Sequence, residues 1–99
     1  MQQLLDQAAL ILKDVRELSP QDAISKLREA AGLLQAVRPG KERDGMLALA
    51  ELRLSQAQKG LGNQAEAERS LIVGYSYART SREVRVRRFA EKLRGEMGF

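Results

Sequence analysis

The chain has 99 residues, a formal net charge of +4, and no His, Cys or Trp. At this length it can form one domain with a modest core, and the missing residue types remove the commonest general base, the thiol nucleophile and most ligands for transition metals. These absences argue against an enzyme, and we expect no catalytic residue, no metal site and no cofactor. The lack of Cys excludes a disulfide framework and suits a reducing compartment, so the cytoplasm is the expected location.

Positive charge is concentrated at the end of the sequence. Residues 1–78 contain ten Lys or Arg and ten Asp or Glu, whereas residues 79–99 contain seven and three, so the last segment carries the whole net charge. The longest apolar run, residues 8–12, is far shorter than the roughly 20 residues of a membrane span, and the first residues lack the basic lead of a signal peptide. The sequence therefore predicts a neutral body, a basic tail and no contact with a membrane.

The first predicted helix covers residues 3–17, where apolar residues recur every three or four positions. Ser19 and Pro20 end it and begin the second helix, residues 20–36, because Ser is a good N-cap and Pro is tolerated at the first helical position. A Pro-Gly pair ends the second helix. Because the connection between the two helices is so short, we expect them to form an antiparallel hairpin.

The third predicted helix, residues 42–60, has apolar residues on two sides. Leu49 and Leu52 lie one turn apart and away from the main stripe, so they resemble a second apolar face. The main stripe, which we expect to face the core, consists of Met46, Leu47, Ala50, Leu54, Ala57 and Leu61.

Two glycines and a capping pattern separate the third helix from the fourth, which is predicted over residues 64–78. Gly60 and Gly62 are placed to let the chain turn in left-handed conformations. Asn63 and Glu66 then have the spacing of a capping box. The third and fourth helices are thus expected to form a second hairpin.

The fifth predicted helix covers residues 82–97. Thr80 or Ser81 is expected to cap it, since Thr80 and Glu83 also have capping-box spacing. One side of this helix is apolar and suits packing against the open end of the second hairpin. Its apolar stripe consists of Val86, Phe89, Ala90, Leu93 and Met97.

A pattern of small and large apolar residues recurs in the second helix of each hairpin, where small residues let helices approach closely. The two triplets are Ala23, Leu27, Ala30 and Ala67, Leu71, Gly74. Together with the Leu-Gly-Asn turn at 61–63, the second triplet resembles one repeat of the tetratricopeptide repeat (TPR) family. The resemblance implies a single all-α domain over residues 1–99, with TPR-like hairpins at 3–36 and 42–78 and a capping basic helix at 82–97.

The sequence also departs from the TPR pattern. Gln58 stands where the family usually has an aromatic residue, the closing Pro is absent, and the first hairpin has no Gly at its turn. The two triplets are 44 residues apart, from Ala23 to Ala67, compared with about 34 in the family. A plain bundle of five helices therefore remains an alternative.

TPR proteins bind ligands in a groove lined by the first helix of each hairpin, so the resemblance implies a binding surface on helices one and three. We expect this surface to receive an amphipathic helix or an extended peptide of another protein, or to form a homodimer. The competing interpretation is that core packing buries both helices on two sides. The candidate partner-binding residues are Leu5, Leu12, Val15, Leu49, Leu52, Gln56 and Lys59.

The fifth helix carries a basic face that could hold phosphates or an acidic partner. A solvated helix with internal ion pairs is an equally simple reading, and nucleic-acid binding is less favoured because the few aromatic residues are not interleaved with the basic ones. The candidate basic face consists of Arg82, Arg85, Arg88 and Lys92.

The sequence thus predicts a protein interaction module: an adaptor, a small chaperone or a subunit of a complex. No glycine-rich phosphate loop or calcium-loop spacing is present. One alternative is a nucleic-acid-associated or regulatory protein that uses the basic helix, and another is a homo-oligomeric structural protein.

Overall fold

The computed structural model describes residues 2–98 and has an all-α fold with five helices, as the sequence predicts. Within this range there is no β-strand, and no helix is both long and apolar enough to cross a membrane. The helices are α1 (Gln2–Asp14), which continues as a 3-10 turn (Val15–Glu17), α2 (Pro20–Gln35), α3 (Lys41–Gly60), α4 (Gln64–Ser81) and α5 (Val84–Glu96).

The helices pack as two sequential hairpins followed by a fifth helix. α1 packs on α2, α3 packs on α4, and α5 lies against α4 and α3. α3 is central, because it contacts each of the other helices, whereas α1 and α5 make no contact with each other within residues 2–98. α1 and α5 therefore lie on opposite sides of α3.

Core residues surround α3 on two sides. Ala50 and Leu54 pack with the first hairpin, in a cluster that contains Leu12 and Leu27. Leu52 has no exposed surface and packs with α4 and α5, together with Ala48, Leu71, Ala78, Ala90 and Leu93. The interpretation of a helix buried on two sides is therefore correct for α3, and the prediction that Leu52 lines a surface groove is wrong.

Gly74 allows α3 and α4 to lie close together. A Cβ atom at this position would be 2.9 Å from both Cγ and Cδ2 of Leu52 and 3.2 Å from the Leu52 backbone nitrogen. Such distances are too short for any side chain, so the small residue is required by the approach of the two helices. The sequence pattern in which Gly74 ends the second triplet thus has a packing explanation.

Gln58 occupies a buried position in the contact between α3 and α4. Its side chain is 2 % exposed, and its Oε1 accepts a hydrogen bond of 2.8 Å from the Ser70 hydroxyl. One turn earlier, the buried Ser55 hydroxyl donates to the Ala67 carbonyl at 2.7 Å. Gln58 and Ser70 therefore form a buried polar pair in the contact between α3 and α4.

The turns within the two hairpins differ in how well the sequence predicts them. Ser19 caps α2 as expected, and its Oγ accepts a hydrogen bond from the Asp22 backbone at 3.3 Å. Asn63 precedes α4, but its side chain makes no capping hydrogen bond, so the predicted capping box is not formed.

Gly62 has the expected positive φ of 81°, whereas Gly60 is the last helical residue of α3. Leu61, predicted to face the core, is 40 % exposed.

α4 is three residues longer than predicted and ends at Ser81. Neither Thr80 nor Ser81 is the N-cap of α5, a position that Glu83 takes. The Thr80 hydroxyl donates to Asp44 Oδ2 at 2.8 Å, and the buried Ser81 hydroxyl donates to the Ala78 carbonyl at 2.8 Å and accepts a hydrogen bond from the Glu83 backbone N–H at 3.1 Å. The chain turns instead at Arg82, which adopts a left-handed conformation with φ 60°. Side-chain contacts with α3 and α4 thus override the local capping signal.

Candidate docking face

Three clefts lie along one face of the molecule, where α1 with its 3-10 turn, α3 and α5 meet solvent. The main cleft, of about 790 Å³, lies between the 3-10 turn and the start of α2 on one side and α5 on the other, with α3 as its floor. A cleft of about 420 Å³ separates α1 from α3, and one of about 380 Å³ separates α3 from α5. The clefts share lining residues, so they form one continuous face, which we call the docking face.

Apolar side chains line the main cleft from three helical segments. Leu49 on α3 is half-buried, Val86 and Phe89 on α5 are half-buried, and Leu18 beyond the 3-10 turn is 38 % exposed. Val15, which is 6 % exposed, forms part of the same wall. The cleft therefore presents apolar surface that is only partly covered by the chain itself.

Several of the sequence-predicted partner-binding residues lie on the docking face. Leu49 lines both the main cleft and the cleft toward α1, and Gln56 lines the main cleft and the cleft toward α5. Lys59 lines the cleft toward α5, where its Nζ donates to the Glu96 carbonyl at 3.3 Å. Leu12 contributes an edge to the cleft toward α1, although it is only 5 % exposed.

Two predicted partner-binding residues lie elsewhere. Leu52 belongs to the core on the α4 side of α3, as described above. Leu5 packs on the cluster that contains Ala8, Leu34 and Leu47, and it lines none of the three clefts. Leu52 is buried because α4 and α5 cover that side of α3, whereas Leu5 is half-buried because α1 packs on α2 and α3. Leu12 and Val15 are also mainly core residues, since both belong to the cluster that α1 and the 3-10 turn form with α2 and α3.

Sequence reasoning missed the arginines of the docking face. Arg16 on the 3-10 turn and Arg53 on α3 both line the main cleft and the cleft toward α1. Arg53 Nη1 donates a hydrogen bond to the Leu12 carbonyl near the end of α1. The signal for Arg53 was available, because Leu49, Arg53 and Gln56 follow one another at helical spacing of four and three.

Arg53 is a half-buried cation beside another cation. Burial lowers the pKa of the Arg53 guanidinium from its ordinary value, and the positive charge of Arg16 lowers it further. The guanidinium still carries its charge at neutral pH, since arginine does not lose its proton in proteins. Within residues 2–98, neither Arg16 nor Arg53 forms an ion pair with a carboxylate. These two arginines therefore carry positive charge on the docking face that no ion pair within the described residues neutralises.

Cations outnumber carboxylates along the whole face. Glu83 lines the main cleft and Glu96 the cleft toward α5. The cations that line the three clefts are Lys13, Arg16, Arg53, Lys59 and Arg85. The part of the chain that is neutral by residue count thus contributes most of a basic surface.

The predicted basic face of the fifth helix is divided in the structure. Arg85 lines the main cleft, whereas Arg88 lines a separate cleft of about 390 Å³ between α4 and α5, together with Arg79 and Arg87. Arg82 and Lys92 are exposed and line neither cleft. These four residues therefore do not form one contiguous site.

No family model, no curated protein and no solved structure matches this chain. Within the described residues, no group of three or more carboxylates is placed to hold a metal ion.

Proposed function

We propose that this protein is an interaction module that binds a peptide or helix of another protein on the docking face, as an adaptor, a small chaperone or a subunit of a complex. The observation that carries the proposal is the continuous set of clefts along α1, α3 and α5, lined by half-buried apolar side chains and by more cations than carboxylates. Clefts lined by apolar residues with a few polar groups are the usual form of peptide sites.

The arrangement of the helices supports a TPR-like interpretation of this face. The first helix of each hairpin contributes to it, as the sequence resemblance implies, and α5 contributes as well. Two hairpins are also fewer than the three or so repeats that a self-sufficient stack needs, so a bound partner would add packing that the chain lacks. We propose a binding role in the cytoplasm rather than catalysis.

Nucleic-acid binding is a second candidate, and the cleft between α4 and α5 favours it. Arg79, Arg87 and Arg88 surround this cleft with Tyr75, which offers cations and an aromatic ring. Glu91 also lines the cleft, and its Oε2 lies 3.6 Å from the Arg94 guanidinium. We rank this candidate below peptide binding because Glu91 lies among these arginines and Tyr75 is already engaged: its hydroxyl donates to Glu91, and the Arg94 guanidinium lies over its ring.

Selection of short random peptides displayed on phage tests the proposed function. We expect the folded protein to enrich peptides whose binding is lost in Leu49→Asp, because a buried carboxylate would replace apolar surface at the centre of the docking face. Affinity is measured by calorimetry on synthetic copies of the enriched peptides.

Ile72→Asp is the matched control. Ile72 is 56 % exposed on α4 and lines no cleft of the docking face, so this variant should bind the peptides as tightly as wild type. Circular dichroism verifies that both variants remain folded. Equal binding by Leu49→Asp and Ile72→Asp, or no enriched peptide at all, would contradict the proposal.

A further inference from the structure

We propose that the partner is an acidic segment, and that Arg16 and Arg53 bind one of its Asp or Glu carboxylates while its apolar side chains occupy the main cleft. This inference rests on the proposed function, since it assigns a chemistry to the ligand of the same docking face.

The two arginines have hydrogen-bond donors and positive charge that a ligand can satisfy. Arg53 is half-buried and uses one N–H to bind the Leu12 carbonyl, while a guanidinium carries five N–H donors in a fixed planar arrangement. Within the described residues, neither Arg16 nor Arg53 has a carboxylate at ion-pair distance. A carboxylate supplied by a ligand would relieve the repulsion between the two cations and accept hydrogen bonds from them.

The two arginines lie next to apolar surface in the same cleft. Arg16 and Arg53 line the main cleft with Leu49, Val86 and Phe89. A ligand that fits this cleft must therefore place apolar side chains and a carboxylate close together, as an acidic amphipathic segment does. Arg85 on the opposite wall adds a further cation. Because Arg53 is half-buried, a charge-assisted hydrogen bond to its guanidinium is stronger than the same bond on open surface.

A second copy of this chain and a nucleic acid each fit the docking face less well than an acidic protein segment does. A second copy of this chain is a poor electrostatic match, because the chain carries a net charge of +4. Two of its exposed apolar residues also lie beside arginines: Ile72 lies with Arg94, and Val84 lies with Arg87 and Arg88. A nucleic acid would satisfy the arginines but would leave the apolar surface of Leu49 and Phe89 without a suitable contact. An acidic protein segment satisfies both.

The test compares peptides that are selected from one random phage-displayed library by wild type and by Arg16→Gln/Arg53→Gln. We expect the wild type to enrich peptides in which Asp or Glu accompanies Leu or Phe, and the double variant to enrich apolar peptides without excess acid. Changing the key Glu of a selected peptide to Gln should weaken binding to wild type about tenfold and leave binding to the double variant almost unchanged.

Two further variants keep the result interpretable. Arg16→Gln alone preserves the contact between Arg53 and the Leu12 carbonyl, so it tests the charge without removing a structural hydrogen bond. Arg79→Gln is the matched control, because Arg79 is exposed on α4 and lies outside the docking face. In Arg16→Gln, changing the peptide Glu to Gln should weaken binding less than it does in wild type. In Arg79→Gln, the same peptide change should weaken binding as much as it does in wild type.

The outcomes separate this inference from the proposed function. If Leu49-dependent peptides are enriched without excess Asp or Glu, the docking face binds peptides and the assignment of Arg16 and Arg53 is overturned. If no Leu49-dependent peptide is found, both proposals fail. A DNA duplex that binds with steep salt dependence, and loses affinity in Arg16→Gln/Arg53→Gln, would assign the arginines to phosphates and likewise overturn the inference.

Discussion

Gly74 faces Leu52 across the contact between α3 and α4, and its lack of a side chain has a measurable consequence. In Gly74→Ala the new Cβ would lie 2.9 Å from two side-chain carbons of a fully buried leucine. Because the Leu52 backbone is also close, the helices must separate. We expect a loss of about 1–3 kcal/mol in the free energy of unfolding, measured by urea denaturation.

Gly32→Ala provides the control for this prediction. Gly32 lies within α2, and a Cβ there would meet no atom within 4 Å. Since glycine costs a helix about 0.5–1 kcal/mol relative to alanine, this variant should be more stable than wild type. A stabilised Gly74→Ala would show that the two helices do not need the close approach.

For single residues, the sequence predicts well which small apolar residues are buried, but it predicts poorly which charged residues lie close together in space. The triplets of small and large apolar residues are buried as their spacing suggests, because that spacing depends only on one helix. The proximity of Arg16 to Arg53 depends on how α1 packs on α3. Helical spacing alone therefore places Arg53 beside Leu49 but does not place Arg16 there.

The contact between α3 and α4 also depends on a buried polar pair, Gln58 and Ser70. In Ser70→Ala, Gln58 Oε1 loses the hydroxyl that donates to it, and a buried polar group without a partner costs about 1–3 kcal/mol. Replacing both residues, in Gln58→Leu/Ser70→Ala, removes the unpaired group and should recover part of the lost stability. Thermal denaturation of the two single variants and the double variant measures the coupling.

Ser76→Ala serves as the reference for the polar pair. Ser76 is exposed on the same helix and donates only to the Ile72 carbonyl, so its loss should change stability by less than about 0.5 kcal/mol. The role assigned to the pair would be incorrect if Ser70→Ala behaved like Ser76→Ala.

The number and positions of the helices follow from apolar period and from turn residues, whereas some helix ends do not. Ser19-Pro20 acts through local backbone geometry and correctly separates α1 from α2. Thr80 and Ser81 have equally good capping chemistry, but Thr80 bonds to Asp44 of α3. Tertiary hydrogen bonds decided the end of α4, and a pattern read along one segment contains no information about them.

For the molecule as a whole, the distribution of charge in space differs from the distribution along the chain. Residues 1–78 are neutral by count, yet Lys13, Arg16, Arg53 and Lys59 all line the docking face, where only Glu83 and Glu96 oppose them. Folding therefore separates charges that are mixed in sequence. Likewise, α3 has two apolar sides because the first hairpin packs on one side and α4 with α5 on the other, and its apolar edge at Leu49 remains partly open.

We propose that the docking face binds a foreign partner and is not covered by a second copy of this chain. Light scattering across a dilution series, on wild type and on Leu49→Asp, tests it most directly by giving the mass in solution. We predict a monomer of 11.0 kDa at every concentration for both proteins. A wild-type dimer that Leu49→Asp splits into folded monomers would contradict the claim, because a second copy of the chain would then cover the face.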